Sequence, residues 1–320
     1  MSDVKTVVVP DDYQNGAGNV SSLHEDASYR VISIGDVQKD VTADEVLSQA
    51  EALILIRERT VIDSDFLKRI PKVKVISQTG KVARNIDLDL CRAHGIDVVE
   101  GKGSPIAPAE LTWLLIQNSV RQFVPSVNAM MAGKWQVAMG DTVSGKTLGV
   151  VGYGKIGKRV IEYAKAFGMN VCVWGSERAL HEAKEDGIDV PVSRAEFFSS
   201  CDVISLHQRL VPDTEGNITY DDLFAMKPSA LFVNTARAEL VESGALERAL
   251  DDGRPGFAAL DVYEQEPIWT TEHPMLKRAN VLCSPHLGYV AQSSYDLYFD
   301  IAFENIKRYM SGDRSHVINA

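Results

Sequence analysis

The feature that most constrains this chain is a set of glycines where an apolar strand pattern must turn at once into a helix, in Thr147-Leu-Gly-Val-Val-Gly-Tyr-Gly-Lys-Ile-Gly157. Val150 and Val151 end the apolar run, and beyond the turn Ile156, Val160, Ile161, Ala164 and Phe167 recur at helical spacing until Gly168 offers a left-handed stop. A second strand pattern, Asn170-Val-Cys-Val-Trp174, follows. In such a unit the first glycine makes the tight turn, the second lets backbone approach a pyrophosphate and the third allows close helix packing, so that phosphates meet the positive helix end. Gly152, Gly154 and Gly157 therefore read as a dinucleotide seat, against the plainer alternative of a structural turn.

A chain of 320 residues exceeds what one hydrophobic core usually serves, and its 45% hydrophobic content can supply two. The net charge of −11 argues against nucleic-acid or anionic-membrane partners, which would want clustered Lys and Arg. Cys91, Cys172, Cys201 and Cys283 show no metal-ligand spacing and read as reduced core residues, so no metal is expected. Neither a signal pattern nor a bilayer-spanning apolar run is visible, and a cytoplasmic location is expected.

Along the first hundred residues, short apolar runs alternate with helix-like stretches: Thr6 to Val9, Arg30 to Ile34, Ala52 to Ile56, Val73 to Ser77 and Ile96 to Val99. That rhythm predicts α/β architecture with parallel sheets covered by helices on both faces. The Gly- and Pro-rich stretch Gly101 to Pro108 predicts a crossing into a second domain, opened by a helix with Pro108 in its first turn. That helix carries Leu111, Leu114, Leu115 and Ile116 towards Phe123, and Pro125 is expected to interrupt it before a shorter piece ends near Gly133. So much apolar surface predicts a second subunit, hence a homodimer, with Trp113 and Trp135 as packing or subunit contacts. Strand patterns resume at Asp202 to Leu206, Ala230 to Asn234, Gly256 to Asp261 and Val281 to Ser284, and Thr219 with Asp222 resembles a capping box. Phe299, Phe303, Ile306 and Met310 predict a terminal helix that returns to the first domain. The expected division is 1–104 plus 296–320, flavodoxin-like, and 105–295, a dinucleotide-binding Rossmann domain.

Ligands of open α/β sheets bind beyond the carboxyl ends of the strands, so polar residues just after apolar runs are candidates for chemistry. Three stand out: Arg237, Glu266 and His286. An arginine can grip a carboxylate with two parallel hydrogen bonds, a histidine can give a proton to a carbonyl oxygen, and a nearby carboxylate would orient that histidine.

With those residues in place, the chain resembles the D-isomer-specific 2-hydroxyacid dehydrogenase family over roughly residues 50 to 310. The likeness runs through the glycine turn, Ser205-Leu-His207, Met226-Lys-Pro-Ser-Ala-Leu-Phe-Val-Asn-Thr-Ala-Arg237, Ala258-Ala-Leu-Asp-Val-Tyr-Glu-Gln-Glu-Pro267 and Ser284-Pro-His-Leu-Gly288. The resemblance implies that Arg237 binds the substrate carboxylate and polarises its carbonyl, that His286 is the acid/base and that Glu266 is its partner. It gives Gly80, Lys81 and Val82 to a loop that offers backbone N–H groups to the carboxylate, with Lys81 and Arg84 equally readable as solvated charges. Around the cofactor it implies Lys155 and Ile156 beside the three glycines, then His207, Thr235, Ala236 and Gly288, with Asp261 near the nicotinamide carboxamide.

The chain also departs from the family. Gly175-Ser-Glu-Arg178 stands where NAD-specific relatives place a ribose-binding acid, so NAD or NADP is expected with a lean to NADP, Ser176 and Arg178 meeting the extra phosphate. Glu177 could itself take the ribose. Arg209 stands where many relatives have proline, and Ala238 where a glycine is common. The implied reaction is hydride transfer between NAD(P)H and a small 2-keto or 2-hydroxy acid, glyoxylate or hydroxypyruvate favoured. Arg57 and Arg59 resemble an arginine pair of 3-phosphoglycerate dehydrogenases, the alternative enzyme, although the chain ends without the C-terminal regulatory domain of many of those. A dinucleotide-sensing corepressor is the alternative of another class.

Overall fold

The computed structural model describes residues 4–320, which divide into two compact units, one reaching to Ser104 and resuming at Val290–Ala320, the other Pro105–Tyr289. The return crossing thus follows Tyr289 rather than residue 295, because the terminal helix starts at Gln292 and its buried face already belongs to the first unit.

In the first unit, β1 (Lys5–Val9), β2 (Tyr29–Ser33), β3 (Ala52–Leu55), β4 (Val75–Gln78) and β5 (Asp97–Glu100) form a wholly parallel sheet in the order 2-1-3-4-5. That is the flavodoxin-like order. Its helices are α1 (Ala43–Leu47), α2 (Ser64–Arg69), α3 (Leu88–Ala93) and the terminal α11 (Gln292–Met310). α2 and α3 start where the sequence supplies a cap: Asp63 accepts from Asp65 and Phe66 N–H, and Asp87 from Leu90 N–H. α11 buries Tyr295, Tyr298, Phe299, Ala302, Phe303 and Ile306 on a face that packs over β3, β4 and β5. A large apolar side chain such as Phe299, Phe303 or Ile306 contributes about 1.5–3 kcal/mol by leaving water.

In the second unit, β6 (Thr147–Val151), β7 (Asn170–Trp174), β8 (Val203–Leu206), β9 (Leu231–Asn234), β10 (Phe257–Leu260) and β11 (Val281–Cys283) form a second parallel sheet, ordered 11-10-9-8-6-7. Alternate residues feed two cores: Ile204, Leu206, Phe232, Ala258 and Leu260 on one face, Leu148, Val150, Val203, Leu231, Val233 and Ala259 on the other. Both faces are covered, as a parallel sheet requires, by α4 (Ile106–Arg121), α5 (Phe123–Met131), α6 (Lys155–Ala166), α7 (Glu177–Glu185), α8 (Arg194–Ser200), α9 (Tyr220–Ala225) and α10 (Ala245–Asp251). A single bridge of Cys172 to Asp189 stands where a third strand would lie outside β7. The capping box at α9 is formed, Thr219 N–H donating to Asp222 at 2.8 Å.

One expected break moves. α4 ends at Gln122, in the left-handed region at φ +51°, and Pro125 lies inside α5. A proline in the first turn of a helix needs no intrahelical partner for its missing N–H, so it opens α5 rather than interrupting α4. No helix among the described residues is long and apolar enough to cross a membrane.

Candidate active site

The second sheet reverses its direction of growth at β6, which has β7 on one side and β8 on the other. Such a switch point opens a crevice at the carboxyl ends of the strands. Here Gly152 sits at φ +97°, and a Cβ added to it would lie 2.8 Å from the His207 carbonyl oxygen, so the turn after β6 and the end of β8 touch backbone to backbone. Gly157, buried in α6, has the same tightness, a Cβ there falling 2.6 Å from the Gly152 carbonyl oxygen. Gly154 differs: it caps α6, it is exposed, and an added Cβ would meet nothing within 4 Å. Two glycines are thus filled by the protein itself and one faces open space at a helix N-terminus. That is the arrangement a pyrophosphate needs. Tyr153, between them, is buried and donates from its hydroxyl to Asp186 at 2.8 Å, with the Lys158 ammonium 4.3 Å from its ring centre, pinning the turn to the end of α7.

At the end of β7, Gly175 precedes Ser176, whose hydroxyl caps α7 by accepting from Ala179 N–H. Glu177 is exposed in the first turn, and Arg178 reaches Glu182 on the surface at 3.1 Å. His207, half-buried at the end of β8, shares a 2.9 Å hydrogen bond with Ser205 through Nε2, and burial lowers its pKa to about 4. It is a neutral imidazole at neutral pH.

The ends of β9, β10 and β11 are adjacent, and they carry the other candidates. Asn234 forms the turn after β9: its Oδ1 accepts from Ala236 N–H at 3.0 Å and its Nδ2 donates to the Arg237 carbonyl at 2.8 Å. Thr235 is held through a 2.7 Å hydroxyl pair with Thr112 of α4, and Arg237 Nη1 donates to the Ala236 carbonyl. After β10, Glu266 is gripped at both oxygens, Oε1 by Tyr263 N–H at 2.8 Å and Oε2 by His286 Nδ1 at 2.5 Å. The imidazole therefore has its Nδ1 turned to the carboxylate and its Nε2 free to exchange a proton with a bound ligand.

His286 itself lies in the left-handed region, at φ +49°. A side-chain-bearing residue is held there against roughly 1–2 kcal/mol, and Asp261 is what holds it. That carboxylate, fully buried, accepts from Ser284 Oγ at 2.6 Å, Leu287 N–H at 2.7 Å and Gly288 N–H at 2.8 Å, flanking the histidine on both sides. Burial raises the Asp261 pKa and these hydrogen bonds oppose the rise. The resemblance placed Asp261 near a carboxamide; the geometry shows the work it does for the turn.

Residues 113–288 match a family model described as D-isomer specific 2-hydroxyacid dehydrogenase, NAD binding domain. The chain belongs to this family. It is 33% identical over 305 residues to a D-3-phosphoglycerate dehydrogenase of Methanocaldococcus jannaschii, covering 93% of this chain and 58% of that one. Against a glyoxylate reductase of Aeropyrum pernix it is 33% identical over 275 residues, 82% of this chain and 81% of the relative. A phosphoglycerate oxidoreductase structure from Vibrio cholerae superposes with a TM-score of 0.89 at 45% identity, covering 96% of this chain and 99% of the other. The chain spans little more than half of the Methanocaldococcus relative.

The substrate-side candidates of this family member lie in the first unit. Arg57 follows β3 at φ +52°, its guanidinium so close over Gly80 that a Cβ there would fall 1.8 Å from Nη1. Arg59 is tied down, donating to the Asp11 carbonyl at 2.9 Å and the Tyr295 hydroxyl at 2.8 Å, with the Tyr13 ring beneath it. Lys81 pairs with Glu100, and Val82 N–H donates to the same carboxylate at 3.1 Å. Glu100, Asn234, Tyr153 and Ser284 carry weight that the sequence reading did not give them. Only Asn234 had a local signal, an asparagine at the end of a strand being a turn former.

Proposed function

We propose that this chain reduces a small 2-keto acid to its D-2-hydroxy acid with a nicotinamide dinucleotide, or runs the reverse reaction, with glyoxylate or hydroxypyruvate as the favoured oxidants. The observation that carries the reading is the 2.5 Å contact of His286 Nδ1 with Glu266, beside Arg237 at the carboxyl ends of three neighbouring strands. The bound nicotinamide supplies or accepts the hydride. The residues do the rest: Arg237 grips the carboxylate and polarises the carbonyl, Glu266 orients the imidazole, and His286 Nε2 delivers a proton to the carbonyl oxygen as the alkoxide forms. A panel of glyoxylate, hydroxypyruvate, pyruvate and 3-phosphohydroxypyruvate against NADH and NADPH tests it, with turnover of none of them as the refuting result.

The names of the Methanocaldococcus and Vibrio relatives favour a second reading, oxidation of 3-phosphoglycerate. Arg57, beside Gly80 and 3.6 Å from the Glu58 carboxylate, is the candidate for a second anionic group on the substrate, whereas Arg59 is held by Asp11, Tyr295 and Tyr13. Replacing Arg57 would then harm the phosphorylated substrate far more than glyoxylate.

The same reading has the site accept NADPH as well as NADH, since Gly175 offers no carboxylate to repel a 2′-phosphate. Gly175→Asp should raise the KM for NADPH steeply, its Cβ needing only a few tenths of an ångström from Ala179, 3.2 Å away. A parent that rejects NADPH until Glu177→Ala would reverse the assignment. The protein is further read as a cytoplasmic homodimer: Phe123, Met130, Trp135 and Met139 are exposed and line one apolar cleft on the second unit. Sedimentation of the parent and of Met130→Glu checks the association.

A further inference from the structure

The loop after β4 is built to present N–H groups. The Gly80 carbonyl accepts from Gly101 N–H at 2.9 Å, and the Lys81 carbonyl accepts from Gln78 Nε2 at 2.8 Å. Gln78 is fixed in turn by Asn85 Nδ2, 2.8 Å from its Oε1. The carbonyls of the loop are thus satisfied from behind, while the N–H groups of buried Gly80 and of Lys81 find no acceptor among the described residues. Successive unpaired N–H groups make a concavity that wants an anion, with the Arg57 guanidinium against Gly80 and shared with the Glu58 carboxylate 3.6 Å away.

The next donors along the loop are already held from within. Glu100, the last residue of β5, lies in register with Gln78 of β4 and is therefore level with the loop. One of its carboxylate oxygens takes Val82 N–H at 3.1 Å and the other takes the Lys81 ammonium, and the side chain is only 20% exposed. The exposure decides the matter, because a carboxylate mostly out of water keeps its partners unless a better anion replaces it.

We infer that Glu100 is a built-in competitor at the rim of this anion seat: beside the open Gly80 and Lys81 N–H groups its carboxylate holds the Val82 N–H and the Lys81 ammonium, and a substrate carboxylate must displace it to engage those two as well. The inference rests on the proposed keto-acid reading and deepens it, making Glu100 a residue that sets substrate affinity without touching the chemistry. An ordinary supporting carboxylate would do the opposite, since its loss would loosen the loop and weaken substrate.

The test is Glu100→Gln in the full chain, read by glyoxylate kinetics and by calorimetric titration of oxamate, a keto-acid mimic, into the NADH-loaded protein. The amide can still accept from Val82 N–H but gives up the ion pair. The KM for glyoxylate and the Kd for oxamate should each fall about twofold to fivefold, the scale of an ion pair to a mostly exposed lysine, with kcat within about twofold of the parent. Lys81→Met, which deletes the ammonium that Glu100→Gln sets free, should erase that gain in the Glu100→Gln background. Unchanged or raised KM and Kd in Glu100→Gln, or a gain that survives Lys81→Met, overturns the inference. Failure of the enzyme reading shows differently, as a parent that turns over no keto acid, and oxamate titration then still decides whether Glu100 guards an anion seat.

Discussion

Gly152 and Gly154 stand two residues apart in one turn, yet their replacement by alanine should fail in different ways. At Gly152 the methyl meets the His207 carbonyl oxygen at 2.8 Å and the Gln208 nitrogen at 3.0 Å, and φ is +97°. The left-handed backbone costs a residue with a Cβ about 1–2 kcal/mol, and overpacking adds about 1–3 kcal/mol. A loss near 3 kcal/mol lowers the melting temperature of a unit this size by about 6–12 °C. At Gly154 the added methyl meets nothing within 4 Å, and φ of −92° with ψ of −171° is extended backbone open to any residue. Only the poorer helix cap is felt, about 0.5–1 kcal/mol. The methyl does, however, stand where a pyrophosphate would approach the α6 N–H groups. Losing one hydrogen bond to a charged oxygen costs about 1.5–3 kcal/mol, so the Kd for NADH should rise about tenfold to a hundredfold. Scanning calorimetry and quenching of intrinsic fluorescence by NADH read the two effects separately. A Gly154→Ala protein that binds NADH like the parent, or a Gly152→Ala protein that melts with it, would refute the steric argument.

Three other outcomes follow from the geometry. Arg237→Lys should lower kcat/KM for keto acids by at least tenfold although charge is conserved, because an ammonium cannot make two parallel bonds to a carboxylate; steady-state kinetics with unchanged efficiency would remove the role. Asp261→Asn turns an amide N–H towards at least one of three donors, Ser284 Oγ, Leu287 N–H and Gly288 N–H, and should lower kcat more than it alters NADH affinity by releasing the His286 turn; equal kcat would show that the turn stands without it. For pH, His207 is held neutral with a pKa of about 4 against about 6.5 in the unfolded chain, so the unfolded state binds the extra proton in that window and stability falls as pH drops from 6.5 towards 4. The drop attributable to this side chain is about 3 kcal/mol at most, and urea melts of His207→Asn should show a correspondingly shallower acid slope than the parent.

Much of the fold was legible because parallel strands buried on both faces read as continuous apolar runs, and the observed β-strands begin and end within two residues of those runs. Caps were legible for the same local reason, as at Thr219 and Asp222. The helix break was misplaced because proline's effect depends on where in a helix it falls, and only the left-handed Gln122 reveals that α5 starts anew. Arg237, Glu266 and His286 could be named because each follows a strand. What the sequence could not carry were pairings across strands: Glu100 reaching Lys81 and Val82 from the neighbouring strand, Asp261 reaching forward to Ser284 and Gly288, and Tyr153 reaching Asp186. Those depend on register and on which helix end comes to lie beside which turn.

The proton relay is the centre of the account, and His286→Gln addresses it most directly. The amide cannot donate a labile proton as imidazolium does, while the glycine turn after β6 is untouched. With the keto acid that the parent prefers, turnover should fall about 10²-fold to 10⁴-fold, the scale of general acid catalysis, and the Kd for NADH should stay within about twofold of the parent on the same fluorescence titration as above. Turnover within about threefold of the parent, with NADH bound normally, would contradict the account.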